Sequence, residues 1–164
     1  MHRARRLVLV SVLLLCAGCD RAAKWAAVAL LEPGGARSFA GETVRFEIAY
    51  NAGAFLGLGA ALPPAWRTLV LVGVVPLGFA IALGLVVRAG VGPRRVAVAI
   101  GLLAGGGLGN WIDRVLHGGL VTDFVSLGVG PLRTGIFNVA DVAIVAGALL
   151  LAVSARDRQG APST

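Results

Sequence analysis

The chain has 164 residues, of which 57% are hydrophobic and 14% are charged, and its mean hydropathy is +0.86. Soluble domains carry about 25% charged residues, so this composition excludes a water-soluble globule of ordinary surface and predicts an integral membrane protein. The formal net charge of +7 is not accompanied by a basic patch interleaved with aromatic residues, which argues against nucleic-acid binding.

The first apolar run, residues 7–19, follows an arginine-rich start and is short for a membrane span. This pattern is typical of a secretory signal peptide, and the small residues before Cys19 are similar to a lipoprotein cleavage site. The alternative is an uncleaved span over about residues 7–31, with Asp20 and Lys24 at i, i+4 spacing, where their side chains can pair. The uncleaved span is favoured, because its removal would leave an odd number of spans and an outside N-terminus.

Three further spans are predicted, at about residues 66–87, 96–112 and 136–153. Between the first two of these four spans, residues 43–50 alternate between apolar and polar side chains, which predicts a half-buried outer strand at the membrane–water interface. A second outer loop, residues 113–135, is predicted to carry polar residues back to the membrane surface. The whole chain, 1–164, is interpreted as one integral-membrane domain.

Glycines recur every four residues in the third span, at Gly101, Gly105 and Gly109. Such a stripe predicts close packing of another helix against this face.

Basic residues set the predicted orientation. The segments before the first span, between the second and third, and after the last hold eight of the fifteen basic residues but one of the eight acids. Under the positive-inside rule these segments face the cytoplasm. Both termini are therefore expected on the cytoplasmic side.

Polar residues collect at the opposite, outer side of this topology, although an ionisable group at the centre of a bilayer costs a few kcal/mol. Four chain segments deliver them: Asp20, Lys24, Asn51, Asn110, Asp113, Arg114, Asp123, Asn138 and Asp141. A transport pathway would need polar residues at several depths. A one-sided site is therefore favoured over a small multi-pass transporter or assembly factor without hydrolytic activity, which is the alternative.

Paired carboxylates are the chemistry that this set supports best. Two carboxylates in a low-dielectric site share one proton, so one can take a proton from water while the other polarises a carbonyl. That is the logic of an aspartic protease, which needs no metal or cofactor. A zinc protease lacks the HExxH motif, and a serine protease lacks GxSxG. Cys16 and Cys19 are interpreted as small buried apolar residues.

Four stretches carry a family resemblance: DRAAK (20–24), NAGAFLGLG (51–59), GGGLGNWIDRVLHGGLVTDF (105–124) and FNVADVAI (137–144). The chain resembles lipoprotein signal peptidase, also called signal peptidase II, over almost its full length. The resemblance implies an intramembrane aspartic endopeptidase of the bacterial inner membrane, with four transmembrane helices, a small periplasmic β-structure and an active site at the periplasmic face. The implied substrates are diacylglyceryl-modified prolipoproteins, which are cut just before the lipidated cysteine.

The resemblance also implies roles for single residues. Asp123 and Asp141 match the catalytic pair, and the residues that match substrate-binding or dyad-supporting positions are Asn51, Asn110, Arg114, Asn138, Asp20 and Lys24. Ala23 stands where the family usually has Ser or Thr, and NAGAF is one alanine shorter than the family's NxGAAF. Membrane lipids are the other expected partners, and a monomer is expected.

Each assignment has a structural alternative. Asp141 is at a position where a carboxylate would be stabilised by the helix macrodipole, Asp123 is in a loop that it would cap, and Asn51 is suited to start a turn. Arg114 would serve as an interfacial anchor or pair with Asp113 or another carboxylate. Asp113 itself is interpreted as structural.

Overall fold

The computed structural model describes residues 2–31, 35–54 and 59–159. Its helices are α1 (His2–Leu30), α2 (Pro64–Ala89), α3 (Arg94–Leu116) and α4 (Val139–Gln159). Its strands are β1 (Ala36–Phe39), β2 (Val44–Asn51), β3 (Val121–Val129) and β4 (Leu132–Arg133). Helix α2 includes a π-helical stretch, Leu69–Val74.

Helices α2, α3 and α4 are long and apolar enough to cross a membrane. Helix α1 has 29 residues, about 44 Å at the usual rise per residue, and its C-terminal half carries charged side chains that pair with other elements. The predicted fold class is confirmed: the chain is a helical membrane protein with a small antiparallel sheet.

The interfaces of α3 with α1 and α4 depend on close backbone approach. A Cβ atom at Gly105 would lie 2.7 Å from the Cβ atom of Cys16 in α1, and one at Gly106 would lie 2.5 Å from the carbonyl oxygen of Ala140 in α4. The prediction that the stripe of glycines in the third span packs closely against another helix is confirmed. Without lipid between them, these helices hold their polar ends within contact distance of one another.

The sheet has the order β1-β2-β3-β4, and all neighbouring strands are antiparallel. Strand β2 pairs with β3 in a register that shifts between Phe46 and Ala49, so that Ala49 lies opposite Asp123 and Asn51 lies opposite Val121. An extra residue in one strand re-aims the side chains beyond it. Here those side chains include Asn51 and Asp123.

The prediction of an outer loop over residues 113–135 is wrong in two parts. Helix α3 continues to Leu116, so Asp113 and Arg114 are helical, and residues 121–129 form a strand. The strand was not evident because polar residues and glycine interrupt its apolar pattern. Its pairing partner, β2, lies about 70 residues earlier in the chain.

Candidate active site

All eight predicted site residues meet in one hydrogen-bonded network, called here the polar cluster. Helix α1 supplies Asp20 and Lys24, β2 supplies Asn51, and α3 supplies Asn110 and Arg114. Asp123 is on β3, and Asn138 and Asp141 are at the start of α4.

Asp123 is buried on β3, with 2% of its surface exposed. Its Oδ1 atom accepts a hydrogen bond from Nδ2 of Asn138 at 2.6 Å, and its Oδ2 atom accepts one from Nδ2 of Asn51 at 3.0 Å. The pKa of Asp123 is raised to about 6: burial is the largest cause and the nearby Asp141 carboxylate also raises it, while the hydrogen bonds from the two amides lower it. This carboxyl group therefore exchanges its proton near neutral pH.

Asp141 lies in the first turn of α4 and forms a reciprocal cap with Asn138. The backbone N–H of Asp141 donates to Oδ1 of Asn138 at 2.9 Å, and the backbone N–H of Asn138 donates to Oδ2 of Asp141 at 3.2 Å. This is the arrangement of a capping box. The Oδ1 atom of Asp141 also accepts from Nδ2 of Asn110 at 2.9 Å, so the helix-end carboxylate is part of the cluster as well.

Two side-chain amides join the carboxyl groups. Nδ2 of Asn138 donates to Oδ1 of Asn110 at 3.0 Å. Asn138 also binds Asp123, and Asn110 also binds Asp141. The strand and the two helices thus bring both acids to one pair of amides.

The ammonium group of Lys24 lies at the buried side of this pair. Its Nζ atom is 2.8 Å from Oδ2 of Asp20, 3.0 Å from Oδ2 of Asp113 and 3.0 Å from Oδ1 of Asn110. The predicted pairing of Asp20 with Lys24 is confirmed. Because the Asn110 oxygen accepts from Lys24, the Asn110 nitrogen is left to face Asp141.

Asp20 connects α1 to the start of α4. Its Oδ1 atom accepts a hydrogen bond from the backbone N–H of Ala140 at 2.9 Å, which satisfies one of the free donors at a helix N-terminus. A Cβ atom at Gly109 would lie 2.6 Å from Oδ2 of Asp20. Only glycine at position 109 leaves room for this carboxylate between α1 and α3.

Arg114 binds backbone carbonyls, which neither alternative interpretation anticipated. Its guanidinium donates to the carbonyl oxygen of Gly53 at 2.7 Å and to that of Asn110 at 3.2 Å. Asn51 forms a turn, since its Oδ1 atom accepts from the backbone N–H of Gly53 at 2.9 Å, and it binds Asp123 as well. The rest of the NAGAFLGLG stretch, residues 55–58, lies outside the described residues.

Arg21 and Asp113 complete the surroundings of the cluster, and Arg21 was not among the predicted site residues. Asp113 is fully buried and pairs with Arg21 and Lys24. Its Oδ2 atom also accepts from the backbone N–H of Thr122 at 2.9 Å, which fixes β3 next to Asp123. The structural interpretation of Asp113 is confirmed. The only sequence signal for Arg21 was a third charge within residues 20–24.

Within the described ranges, no three His, Cys, Asp or Glu side chains come together as metal ligands. The acids of the cluster instead face amide, ammonium and backbone N–H donors. This donor set suits carboxylates that exchange protons.

Comparison with known proteins gives the following matches. Residues 12–156 match the family described as signal peptidase (SPase) II. A lipoprotein signal peptidase of Rhodococcus jostii (strain RHA1) is 37% identical over 155 residues, which cover 91% of this chain and 72% of that protein. Another, of Methylorubrum extorquens (strain PA1), is 53% identical over 58 residues, which cover 35% of this chain and 33% of that protein.

A solved structure of a bacterial membrane enzyme has a TM-score of 0.79 to this chain at 24% sequence identity. The match covers 93% of this chain and 89% of that one. At this identity the likeness shows a shared fold.

Proposed function

The chain belongs to the signal peptidase II family of proteases, and we propose that it removes the signal peptides of diacylglyceryl-modified prolipoproteins by cutting just before the lipidated cysteine. The observation that carries the proposal is the convergence of Asp123 and Asp141 on one pair of amides, Asn110 and Asn138. Aspartic endopeptidases use such a pair of acids for catalysis.

The proposed reaction uses one proton shared by the two carboxyl groups. The ionised carboxylate takes a proton from a water molecule, and the resulting hydroxide attacks the carbonyl carbon of the peptide bond. The protonated carboxyl group donates a hydrogen bond to the carbonyl oxygen, where negative charge develops. The carboxyl group that took the proton from water then transfers it to the leaving nitrogen as the C–N bond of the tetrahedral species breaks. A pKa of about 6 for Asp123 lets this group hold or release a proton near neutral pH.

The other cluster residues are proposed to position the acids and the substrate. Asn110 and Asn138 orient the two carboxyl groups, and Lys24 orients the Asn110 amide. Arg114 holds the backbone at Gly53, two residues after Asn51. A substrate strand that passes the backbone near Asn51 would also lie close to Asp123, because Asn51 binds that carboxylate.

A location at the periplasmic face of the inner membrane, with both termini cytoplasmic, is supported by the one-sided distribution of charge. At the other end of the bundle, Arg95 pairs with Asp157 and Arg6 donates to the carbonyl oxygen of Val87. Between the two ends the buried side chains include apolar ones such as Ala17 and Ala104. A transporter would need polar side chains through this region, so the protease is the better supported function.

The test is cleavage of a diacylglyceryl-modified prolipoprotein by the purified protein in lipid nanodiscs. Asp123→Asn and Asp141→Asn are each expected to lower the cleavage rate by a factor of about 10² to 10⁴, which is the range for loss of a general acid or base. Asp157→Asn is the matched control, because it makes the same change at the exposed opposite end, and it should cleave at the wild-type rate. Full activity of either cluster variant would overturn the mechanism. Equal cutting of substrate without the diacylglyceryl group would overturn the substrate assignment.

A further inference from the structure

Helix α2 lies at the edge of the bundle. Across its described length it has no buried residue. Near its inner end, Leu83 and Val87 pack against the cluster of Leu9, Val91 and Ala97. In the outer half of α2, the backbone of Val72 accepts a hydrogen bond from the indole of Trp111 in α3.

The hydrogen bond from Trp111 is directed at a carbonyl group that the sequence leaves without its usual partner. In an α-helix the carbonyl of Val72 accepts from the N–H of residue 76, but residue 76 is proline and has no N–H. The helix is locally π-helical over Leu69–Val74. Nε1 of Trp111 donates to the Val72 carbonyl oxygen at 3.0 Å. In a bilayer a neighbouring helix and a local π adjustment are the usual ways to satisfy a backbone group freed by proline.

One turn further in, the same face of α3 carries a glycine, Gly107. Gly107 precedes Trp111 by four residues and therefore lies on the same face of α3. Among the residues that the structure describes, nothing comes within 4 Å of a Cβ atom built at Gly107. The outer half of α2 is thus held to α3 at Trp111, one turn from the uncovered surface at Gly107.

Among the described residues, one of the two acids is accessible at the surface. Asp20 and Lys24, on the α1 side of the cluster, are buried, and so is Asp123 on β3. Asp141 is partly exposed. Trp111 directly follows Asn110, which binds Asp141, so the contact to α2 is at the depth of the dyad.

We propose that Trp111 is a positioning residue. By donating to the carbonyl that Pro76 leaves free, it sets the position of the outer half of α2, and this half holds the apolar signal helix of the substrate against the dyad. The second part rests on the proposed function. The first part concerns the protein alone.

The test of the first part measures the distance between α2 and α4 by pulsed electron resonance in nanodiscs. Spin labels at Leu69→Cys and Val142→Cys, two exposed positions, are used with Cys16 and Cys19 replaced by alanine. Trp111→Phe keeps the ring but removes the N–H, and it should raise the fraction of molecules with a longer distance by about three- to tenfold, as expected for one hydrogen bond in a membrane.

Pro76→Ala supplies the matched background, because it restores the N–H that bonds the Val72 carbonyl within the helix. In that background Trp111→Phe should change the long-distance fraction by less than about twofold. An unchanged distance distribution for Trp111→Phe alone would overturn the proposal. So would an equal change in both backgrounds, because Trp111 would then act through its bulk.

Kinetics test the second part. Trp111→Phe should raise KM for the lipidated prolipoprotein at least about threefold with kcat within about twofold, since the dyad contacts come from α3, α4 and β3. A longer distance with an unchanged KM would overturn the role of α2 in holding substrate. If the wild-type protein cuts no prolipoprotein, the proposed function fails while the distance measurement still decides the role of Trp111.

Discussion

Replacing each acid of the dyad by asparagine should abolish cleavage but move stability in opposite directions. The two carboxyl groups differ in surroundings: Asp123 is buried in the sheet, whereas Asp141 caps the N-terminus of a helix. Burial disfavours the ionised form of Asp123, while the helix end favours a negative charge. Asp123→Asn is therefore expected to stabilise the protein near pH 7.5, and Asp141→Asn is expected to destabilise it.

The size of the effect at Asp123 follows from its pKa, which is raised from an ordinary 3.8 to about 6. A tenfold change in proton affinity corresponds to about 1.4 kcal/mol, so the ionised form costs the folded state up to about 3 kcal/mol. Because the folded pKa is raised, this cost is absent well below pH 3.8. It grows as the pH rises from 3.8 to about 6 and is complete above pH 6. The neutral amide of asparagine removes it. We expect a gain on the order of 1 to 3 kcal/mol at pH 7.5 and no gain at pH 4.

At Asp141 the substitution weakens the reciprocal cap with Asn138 and the interaction with the helix dipole. Loss of such a cap costs about 0.5 to 2 kcal/mol. Removing the Asp141 charge also lowers the pKa of Asp123, which offsets part of this loss. The offset is the smaller effect, because burial is the main cause of the raised pKa of Asp123.

The assay is the thermal midpoint of unfolding in detergent at pH 7.5 and pH 4, measured for both variants and for Asp157→Asn. For a protein of this size 1 kcal/mol shifts the midpoint by roughly 2 to 4 °C, so the midpoints of the two dyad variants should separate by several degrees at pH 7.5. Asp157→Asn should match the wild type. A lower midpoint for Asp123→Asn at pH 7.5 would refute the reasoning, because it would mean that the ionised carboxylate stabilises the fold.

Two further changes test how neighbouring residues tune and hold the acids. Asn51→Ala removes a hydrogen bond that lowers the pKa of Asp123, so this pKa should rise above 6 and the matching limb of the pH–rate profile should move to higher pH; a shift to lower pH would contradict the geometry. Gly109→Ala would place a methyl group 2.6 Å from Asp20 and should cost about 1 to 3 kcal/mol through overpacking, measured by thermal unfolding. Gly107→Ala, the control with open space around it, should be neutral or slightly stabilising.

The sequence predicted those parts of the fold and cluster that depend on local patterns. Long apolar runs predict the helices because the bilayer requires them, and i, i+4 spacing predicts the pairing of Asp20 with Lys24. Asn138 and Asp141 are three residues apart, a spacing that brings two side chains together at a helix start. The structure shows this contact as a reciprocal cap, in which each of the two side chains accepts from the other residue's backbone N–H.

The parts that escaped prediction depend on contacts between distant segments. Strand β3 owes its existence to pairing with β2, and the register shift in β2 that brings Asn51 to Asp123 leaves no pattern in either strand alone. Arg21 meets Asp113 across two helices. The role of Pro76 was hidden for the same reason: the proline shows that a carbonyl is freed, but only the packing of α3 shows that Trp111 binds it.

The directions of the two amide groups in the cluster follow from one buried cation and one backbone N–H group. Lys24 has only donors, so the Asn110 oxygen must face it and the Asn110 nitrogen must face Asp141. The Asn138 oxygen is held by the N–H of Asp141, so the Asn138 nitrogen must face Asp123. Both acids therefore receive N–H donors from the amide pair, and every carboxyl oxygen that accepts one such bond keeps a second lone pair for water or substrate. An amide flipped by the loss of Lys24 would turn an oxygen toward a carboxylate, which is why a residue that need not touch the substrate belongs to this site.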